Sequence, residues 1–220
     1  MKIFCIIPAL NEAATVGRVL SEVKKYVDVM VVVSDGSTDE TANIAKAAGA
    51  VVLQHPTNRG QGAALETGDT YARNNGADIV VHFDADGQFF AAEIKDVVAP
   101  LLSGEADAVF GSRFGVKKNK IPWLKRTFII PIARLVNKIF FNLELQDPQS
   151  GFRALGPAAL EKIRIQQNGM AHCSEILHKI SSLKLRVKEV SVSVVYEDFG
   201  QNFWGGVRII KDTILNKLMD

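Results

Sequence analysis

Residues 84–88 carry the side chains of this chain that are best suited to metal chemistry. They read Asp-Ala-Asp-Gly-Gln and directly follow Ile79–Phe83, an apolar run that predicts a buried strand. Two carboxylates one residue apart, with an amide oxygen close behind, form an oxygen ligand set of the kind that Mg²⁺ and Mn²⁺ prefer and often share with a substrate phosphate. A polar turn that simply ends a strand uses the same residue types. The motif alone leaves both interpretations open.

Strand-like and helix-like segments alternate through residue 112. The predicted strands are Ile3–Ile7, Val29–Val33, Ala50–Leu53, Ile79–Phe83 and Ala108–Phe110, and the predicted helices are Asn11–Tyr26, Ser37–Ala48, Gly62–Asn74 and Ala91–Leu102. A capping-box pattern at 37–40 marks the start of the second helix, and Gly49 marks its end. Alternation with almost wholly apolar strands indicates an α/β fold with a parallel sheet covered on both faces.

Polar loops follow four of the predicted strands, at residues 9–12, 34–37, 84–88 and 111–113. In open parallel sheets, ligands bind beyond the carboxyl ends of the strands. These four loops would deliver acids, amides and a guanidinium to one rim of the sheet. We therefore expect an active site at that rim.

Composition limits the class of protein. The chain has 220 residues, of which 47% are hydrophobic and 23% charged, as in a single globular domain with at most a small appended subregion. The net charge of +2 is too small to indicate nucleic-acid binding. Cys5 and Cys173 lack metal-ligand spacing, so we expect reduced thiols in a cytoplasmic protein. The first apolar run ends at Pro8, too early for a signal peptide, and no segment approaches the ~20 apolar residues that span a bilayer.

Residues 121–145 predict an amphipathic helix with two possible roles. Arg126, Arg134 and Lys138 recur at helical spacing among bulky apolar residues. Such a helix could lie in a membrane interface. It could equally pack on the sheet, with Pro131 as a kink. A second amphipathic stretch runs from Phe203 to Asp220.

Six stretches of the chain resemble the family 2 glycosyltransferases of the GT-A fold, in the order in which that family carries them. They are 6–12 (IIPALNE), 33–39 (VSDGSTD), 58–64 (NRGQGAA), 84–88 (DADGQ), 111–113 (GSR) and 149–153 (QSGFR). The most similar subgroup is that of the dolichyl- and polyprenyl-phosphate mannose or glucose synthases. No single stretch is decisive, but together they are specific.

The resemblance implies a single GT-A domain over 1–220, Rossmann-like, with a nucleotide-sugar-binding half at 1–113 and an acceptor-side half with amphipathic helices at 114–220. It implies inverting, metal-dependent transfer of a hexose from a donor of the GDP-mannose or UDP-glucose type to a polyprenyl or dolichyl phosphate. The cofactor would be Mg²⁺ or Mn²⁺. Because we expect no membrane-spanning helix, the lipid would be reached by peripheral contact at the cytoplasmic face of the membrane or through a separate membrane-anchoring subunit.

The resemblance also assigns roles to individual residues. The donor would be bound by Pro8, Ala9, Asn11, Glu12, Asp35, Gly62, Asp84, Ala85 and Asp86, with Asp35 accepting a hydrogen bond from the base. The metal would be held by Asp86 and Gln88. The catalytic residues would be Asp86, Arg113, Arg153 and Glu175. The acceptor would be bound by Arg113, Arg126, Asp147, Ser150 and Arg153. Ser34 stands where many relatives carry a second acid, which leaves the choice between guanine and uracil open.

The residues leave one alternative function open and argue against two others. A hydroxyl acceptor would need a general base, for which Glu175 and Asp147 are candidates. Both acids also have common structural explanations. An acid near a helix N-terminus such as Glu175 often only interacts with the helix dipole, and an Asp before a proline, such as Asp147 before Pro148, often only starts a turn. A nucleotidyltransferase is disfavoured because no glycine-rich loop follows the first strand. A non-catalytic nucleotide-sugar-binding subunit would not require the whole set of rim residues.

The histidines do not indicate a metal site. His82 lies within a predicted strand and is expected to be a core residue with a hydrogen-bond partner. His55 is expected to be an ordinary loop residue, and His172 and His178 lack the spacing of zinc ligands.

Overall fold

The computed structural model describes residues 1–114, 143 and 145–195. In chain order the elements are β1 (Ile3–Ala9), α1 (Val16–Val23), β2 (Val29–Asp35), α2 (Thr41–Ala47), β3 (Val51–His55), α3 (Gln61–Asn74), β4 (Ile79–His82), a 3₁₀ turn (Ala91–Glu93) that leads into α4 (Ile94–Leu102), β5 (Ala108–Ser112), β6 (Arg153–Leu155), α5 (Pro157–Lys162), α6 (His172–Ser182) and β7 (Val187–Ser191).

The strands of this region form one mostly parallel sheet in the order β3-β2-β1-β4-β6-β5-β7. Strand β6 is antiparallel to both of its neighbours, and it pairs Arg153 with His82 on β4 and with Phe110 on β5. The carboxyl ends of β1, β2, β4 and β5 therefore meet at one edge, and β6 contributes its amino end there. The expected Rossmann-like GT-A architecture is confirmed.

Each face of the sheet packs against its own group of helices. Because side chains alternate across a strand, Cys5 and Ile7 of β1 face the core under α1 and α4, while Phe4 and Ile6 face the core under α3, α5 and α6. Helix α1 illustrates the pattern, since its four buried residues recur at helical spacing. Burying one such Leu, Ile or Val side chain contributes roughly 1.5–3 kcal/mol.

Two predicted helix starts are wrong. The first helix begins at Val16 rather than at Asn11, because Asn11 has a left-handed φ of 56° that a helix cannot include. The second begins at Thr41, and the Ser37 hydroxyl instead accepts a hydrogen bond from the backbone of Asn11. Asp39 organises this helix start, because its carboxylate accepts hydrogen bonds from the backbone N–H groups of Thr41 and Ala13. Gly49, with φ of 87°, ends the helix as predicted.

The predicted amphipathic helix of 121–145 falls outside the described residues except for Leu143 and Leu145, and the stretch 203–220 falls outside them entirely. Within 1–114, 143 and 145–195, no helix has the length and apolar character needed to cross a membrane.

Candidate active site

A cavity of about 490 Å³ opens at the edge of the sheet where the strand ends meet. Its walls are formed by Pro8, Ala9, Leu10, Glu12, Asp35, Asn58, Gly60, Gln61, Ala64, Asp84, Ala85, Asp86, Gln88, Phe89, Arg113, Gln149, Gly151, Arg153, Met170 and Cys173. The loops after β1, β3, β4 and β5 contribute to these walls, and β2 contributes its last residue, Asp35. The parallel strands thus bring together residues that lie far apart in the sequence.

Asp84 and Asp86 form an acidic pair on one wall. An Asp84 oxygen accepts a hydrogen bond from Gln61 Nε2 at 3.1 Å, and Asp86 Oδ1 accepts one from the backbone N–H of Gln88 at 2.9 Å. Burial, followed by the charge of Asp86, raises the pKa of Asp84 to about 6, although the nearby cations Arg153 and Arg113 oppose that rise. Keeping both carboxylates ionised therefore lowers the stability of the folded protein.

Gly151 explains how Asp84 fits into this wall. A Cβ atom at position 151 would collide with the Asp84 carboxylate. The glycine of the 149–153 stretch is thus required for close approach of two segments that the sequence separates by 67 positions. Sequence reasoning had assigned this glycine to a motif but had not assigned it this function.

The acidic pair fits a hard divalent cation. The Asp84 and Asp86 carboxylates and Gln88 present oxygen atoms on a single wall, and a bound cation would offset the charge repulsion that raises the Asp84 pKa. In the described part of the chain, no three or more His, Cys, Asp or Glu side chains converge as a complete ligand cage. A small acidic set without a cage matches Mg²⁺ or Mn²⁺, which are commonly bound by one or two carboxylates with water and substrate phosphate as further ligands.

Arg153 places a buried cation in the same cavity. Its side chain is fully buried, and neither Nε nor Nη1 has a hydrogen-bond partner among the described residues. Its Nη2 atom donates to His172 Nε2 at 3.1 Å, and its Cζ atom lies 6.0 Å from the centre of the Phe110 ring. Buried guanidinium groups are normally paired with anions, so these two nitrogen atoms indicate a place for a negatively charged ligand.

His172 holds Arg153 in this orientation. Burial, followed by the charge of Arg153, lowers the pKa of His172 to about 4, so that the ring is neutral at physiological pH. Its Nδ1 lies 2.9 Å from the carbonyl oxygen of Gly169 and donates to it, which leaves Nε2 to accept from Arg153. Sequence reasoning had found no role for His172, and no local pattern reveals one because its partner is 19 residues away.

Arg113 and Asp147 pair with each other. The guanidinium donates from Nε to Oδ2 at 2.6 Å and from Nη2 to Oδ1 at 2.8 Å, and the backbone N–H of Arg113 donates to the same carboxylate. This bidentate pair joins the end of β5 to the segment before β6 at the cavity wall. Because the Asp147 carboxylate is buried and engaged by its partner, it is poorly placed to act as a general base.

Asp35, the last residue of β2, lines the same cavity and lies in a dense hydrogen-bond network. Its Oδ1 accepts from His55 Nδ1 at 2.6 Å and from the backbone N–H of Arg59, and its Oδ2 accepts from the backbone N–H of Gly60 at 2.7 Å. The prediction that His55 is an ordinary loop residue is wrong. It ends β3, is buried, and also contacts the Thr67 hydroxyl of α3 at 2.9 Å.

Besides Asp147, four residues assigned to the site lie outside its walls. Asn11 accepts a hydrogen bond from the backbone of Thr38, and the Gly62 N–H donates to the carbonyl of Asn168. Ser150 is fully buried, and its hydroxyl bonds the carbonyl of Phe152. These contacts explain the residue types at positions 11, 62 and 150 by their structural roles, and they count against direct contact of these residues with a ligand.

Glu175 is the fourth. Its carboxylate accepts hydrogen bonds from the backbone N–H groups of Gln166 and Gln167 and pairs with Lys179 at 2.6 Å. These bonds hold the loop before α6 and give the carboxylate a structural role, and a catalytic role for Glu175 stays a prediction. Arg126, assigned to the acceptor site, lies outside the described residues.

His82 is confirmed as a core residue. It is 1% exposed, and its Nε2 lies 2.8 Å from the Asp69 carboxylate in α3.

Comparisons with known proteins agree with this geometry. Residues 4–164 match the model of glycosyl transferase family 2, and the chain belongs to that family. It is therefore a glycosyltransferase. The chain is 28% identical to a UDP-N-acetylglucosamine–dolichyl-phosphate N-acetylglucosaminyltransferase of Methanococcus voltae, covering 98% of this chain and 96% of the relative. It is 27% identical to an undecaprenyl-phosphate mannosyltransferase of Micrococcus luteus, covering 98% and 92%.

The fold has solved counterparts. A glucosyl-3-phosphoglycerate synthase from Mycobacterium tuberculosis, crystallised with Mn²⁺, UDP and glucosyl-3-phosphoglycerate, superposes with a TM-score of 0.75. The superposition covers 98% of this chain and 79% of that enzyme at 23% sequence identity. At this identity the likeness establishes the shared fold.

We expect Asp84→Asn to stabilise the ligand-free protein at pH 7.5. The Asp84 pKa is raised on folding, so the folded state binds the proton more tightly and loses stability as the pH rises from 4 through about 6. The variant has no such loss, and its free energy of unfolding should exceed that of the wild type by roughly 1–3 kcal/mol at pH 7.5 and by much less at pH 4. Urea denaturation with chelator present measures both values.

Asp96→Asn is the matched control, since Asp96 is exposed on α4 and its replacement also removes one negative charge. A variant Asp84→Asn that is less stable than the wild type at pH 7.5 would contradict the electrostatic account of this wall.

Proposed function

We propose that the protein is an inverting, metal-dependent transferase that moves a hexose or related sugar from a nucleotide-sugar donor to a polyprenyl or dolichyl phosphate. The observation that carries this proposal is the buried guanidinium of Arg153, whose Nε and Nη1 have no partner among the described residues, in the same cavity as the Asp84–Asp86 pair. One cavity thus offers a place for a cation and a place for an anion. Transfer between two phosphate-bearing substrates uses both.

The donor would lie along the wall formed by β1, β2 and β4. Pro8, Glu12 and Asp35 would bound the nucleoside, and Asp86 with Gln88 would hold the metal against the diphosphate. A divalent cation there would stabilise the negative charge that grows on the leaving diphosphate, an effect worth several kcal/mol. A single in-line displacement would invert the anomeric centre.

The acceptor side favours a phosphate over a hydroxyl group. A phosphate is already ionised at neutral pH and requires positioning and charge neutralisation, which a guanidinium supplies through forked hydrogen bonds. A hydroxyl acceptor requires a general base. Both acids considered for that role are occupied, Asp147 by Arg113 and Glu175 by the loop before α6.

A hydroxyl acceptor is the second candidate. Asp84 lines the cavity and would be the general base for such an acceptor if a bound cation does not hold its carboxylate. The acceptor experiment below separates the two candidates directly.

The relatives support the phosphate acceptor more strongly than any particular sugar. The two named above act on a dolichyl and an undecaprenyl phosphate, but one transfers N-acetylglucosamine and the other mannose. We include in the proposal a peripheral contact with the cytoplasmic face of the membrane, made directly or through a separate anchoring subunit, because the acceptor's hydrocarbon chain resides in the bilayer.

The proposal predicts transfer from a nucleotide sugar to a short-chain polyprenyl phosphate in the presence of Mn²⁺ or Mg²⁺, and loss of transfer with chelator. Purified protein is incubated with GDP-mannose, UDP-glucose or UDP-N-acetylglucosamine, and the lipid-linked sugar is quantified. The matching polyprenol, which has the same chain and a hydroxyl in place of the phosphate, is the acceptor control. Transfer to the polyprenol or to a soluble alcohol alone would replace the proposal with the hydroxyl-acceptor candidate.

Asp86→Asn should lower turnover by about 10²-fold or more while the fold is retained, because it weakens the site that neutralises charge in the transition state. Steady-state transfer assays at saturating donor, with circular dichroism as a check of folding, measure this. Asp96→Asn should transfer at the wild-type rate. Near-normal turnover of Asp86→Asn would remove the metal assignment.

Arg153→Met should abolish most transfer while the protein still folds. Methionine retains much of the side-chain length but removes one of the two cations that oppose the raised pKa of Asp84, so we expect some loss of stability at neutral pH. We expect turnover with the polyprenyl phosphate to fall by at least about 10²-fold and the far-ultraviolet circular dichroism to match that of the wild type. A variant that unfolds more easily yet retains its specific activity would show that Arg153 serves the fold.

A further inference from the structure

The two cysteines of the chain lie in different surroundings. Cys5 is fully buried on β1, in the core under α1 and α4, and burial raises the pKa of its thiol. Cys173 is the second residue of α6, and although only 2% of its surface is exposed, it forms part of the cavity wall. Both thiols are free. A small molecule that enters the cavity therefore meets Cys173, whereas Cys5 is enclosed by packed side chains.

Cys173 contacts the buried cation of the cavity. Its Sγ atom lies 3.7 Å from Arg153 Nη2 and 3.4 Å from His172 Nε2. Arg153 is fully buried, and its Nε and Nη1 atoms have no partner among the described residues. The backbone N–H groups in the first turn of α6 add partial positive charge beside the thiol. A modification that places a negative charge on Cys173 would therefore pair with a guanidinium whose donors are not all used.

Oxidation by a hydroperoxide makes such a change by adding a single oxygen atom. A thiol sulfur is only a weak hydrogen-bond acceptor. When the thiolate attacks hydrogen peroxide, an S–O bond forms as the O–O bond breaks, so that sulfur loses two electrons and the released hydroxide takes the proton of the sulfenic acid. The products are a sulfenate and water. The sulfenate oxygen carries negative charge and is a stronger acceptor than the thiol sulfur.

We propose that Cys173 is a reversible oxidation site, whose sulfenate pairs with the Arg153 guanidinium and blocks the anion position of the cavity. The oxidant would be a hydroperoxide. Two molecules of a small thiol would return the sulfenate to the thiol and leave as a disulfide and water. The effect on transfer rests on the proposed function, because the acceptor phosphate is proposed to use the same guanidinium. Transfer would then stop until the sulfenate is reduced.

Treatment of the full chain with hydrogen peroxide, followed by denaturation in the presence of dimedone, tests the oxidation. Dimedone bonds covalently to sulfenic acids, and peptide mass spectrometry then measures the labelled fraction of each cysteine. We expect that fraction to be at least about tenfold higher for Cys173 than for Cys5, because susceptibility follows access and thiolate character. Dithiothreitol added before dimedone should remove the label. Arg153→Met should lower the labelled fraction of Cys173 by about threefold or more, because it removes the neighbouring cation.

Transfer should fall with the oxidised fraction of Cys173. The assay with the short-chain polyprenyl phosphate, run on the peroxide-treated chain before and after dithiothreitol, measures the loss and the recovery. Met170 is exposed in the same wall, but simple thiols do not reduce methionine sulfoxide, so recovery excludes Met170 as the cause. Cys173→Ala should keep its own starting activity through the treatment. Cys5→Ala is the matched control and should lose activity as the wild type does.

The outcomes separate the oxidation site from the proposed function. Equal labelling of both cysteines, or no labelling of Cys173, would overturn the oxidation site. Full labelling of Cys173 with unchanged transfer would overturn its effect on the anion position. Labelling of Cys173 in a chain that transfers no sugar to any polyprenyl phosphate would overturn the proposed function and support the oxidation site. If far-ultraviolet circular dichroism shows that Cys173→Ala does not fold, the loss and recovery of wild-type activity decide.

Discussion

A charge in a wall that is largely closed to water must be matched by an opposite charge or by a ligand, and the cavity of this glycosyltransferase is organised around that requirement. Arg113 meets it within the protein, through its bidentate pair with Asp147. Asp84 and Arg153 meet it only in part. Asp84 has a raised pKa, and Arg153 has two nitrogen atoms without partners among the described residues. The incompletely matched charges are the ones that face the cavity.

The sheet topology makes this arrangement possible. Parallel strands bring the loops after β1, β2, β4 and β5 to one edge, but parallel ends alone would not place Arg153 among them. The reversed direction of β6 brings its first residue to the same edge, between His82 of β4 and Phe110 of β5. Strand pairing thus positions Arg153 from both sides. The close approach at Gly151 accommodates the carboxylate of Asp84, which follows β4 and lies near Arg153.

Much of this could be predicted from the sequence, because the signals are local. The five strands found by their apolar runs are present with ends within two residues of the prediction, and the loops that follow four of them line the cavity as expected. The helix starts at Asn11 and Ser37 were wrong because loop hydrogen bonds outweighed the capping pattern. Strand β6 was missed because three residues carry no readable periodicity.

The residues that sequence reasoning misjudged act through distant partners. His55 owes its role to Asp35 and Thr67, and His172 owes its role to Arg153 and Gly169. Glu175 looked like a spare acid because the backbone N–H groups that it accepts from lie in a loop with no motif of its own. In each case the decisive information is a tertiary contact, which neither composition nor spacing encodes.

The network around Asp35 also bears on the thermodynamics of donor capture. Its carboxylate, the ring of His55 and the backbone at Arg59 and Gly60 are already ordered in the absence of a nucleotide. A wall that is shaped in advance loses little conformational entropy when a ligand binds, so more of the interaction free energy is retained as affinity. The part of the cavity at which we propose that the nucleoside binds would in this respect be a rigid template, whereas the charged groups would gain their full stabilisation only when the substrates supply the missing ions.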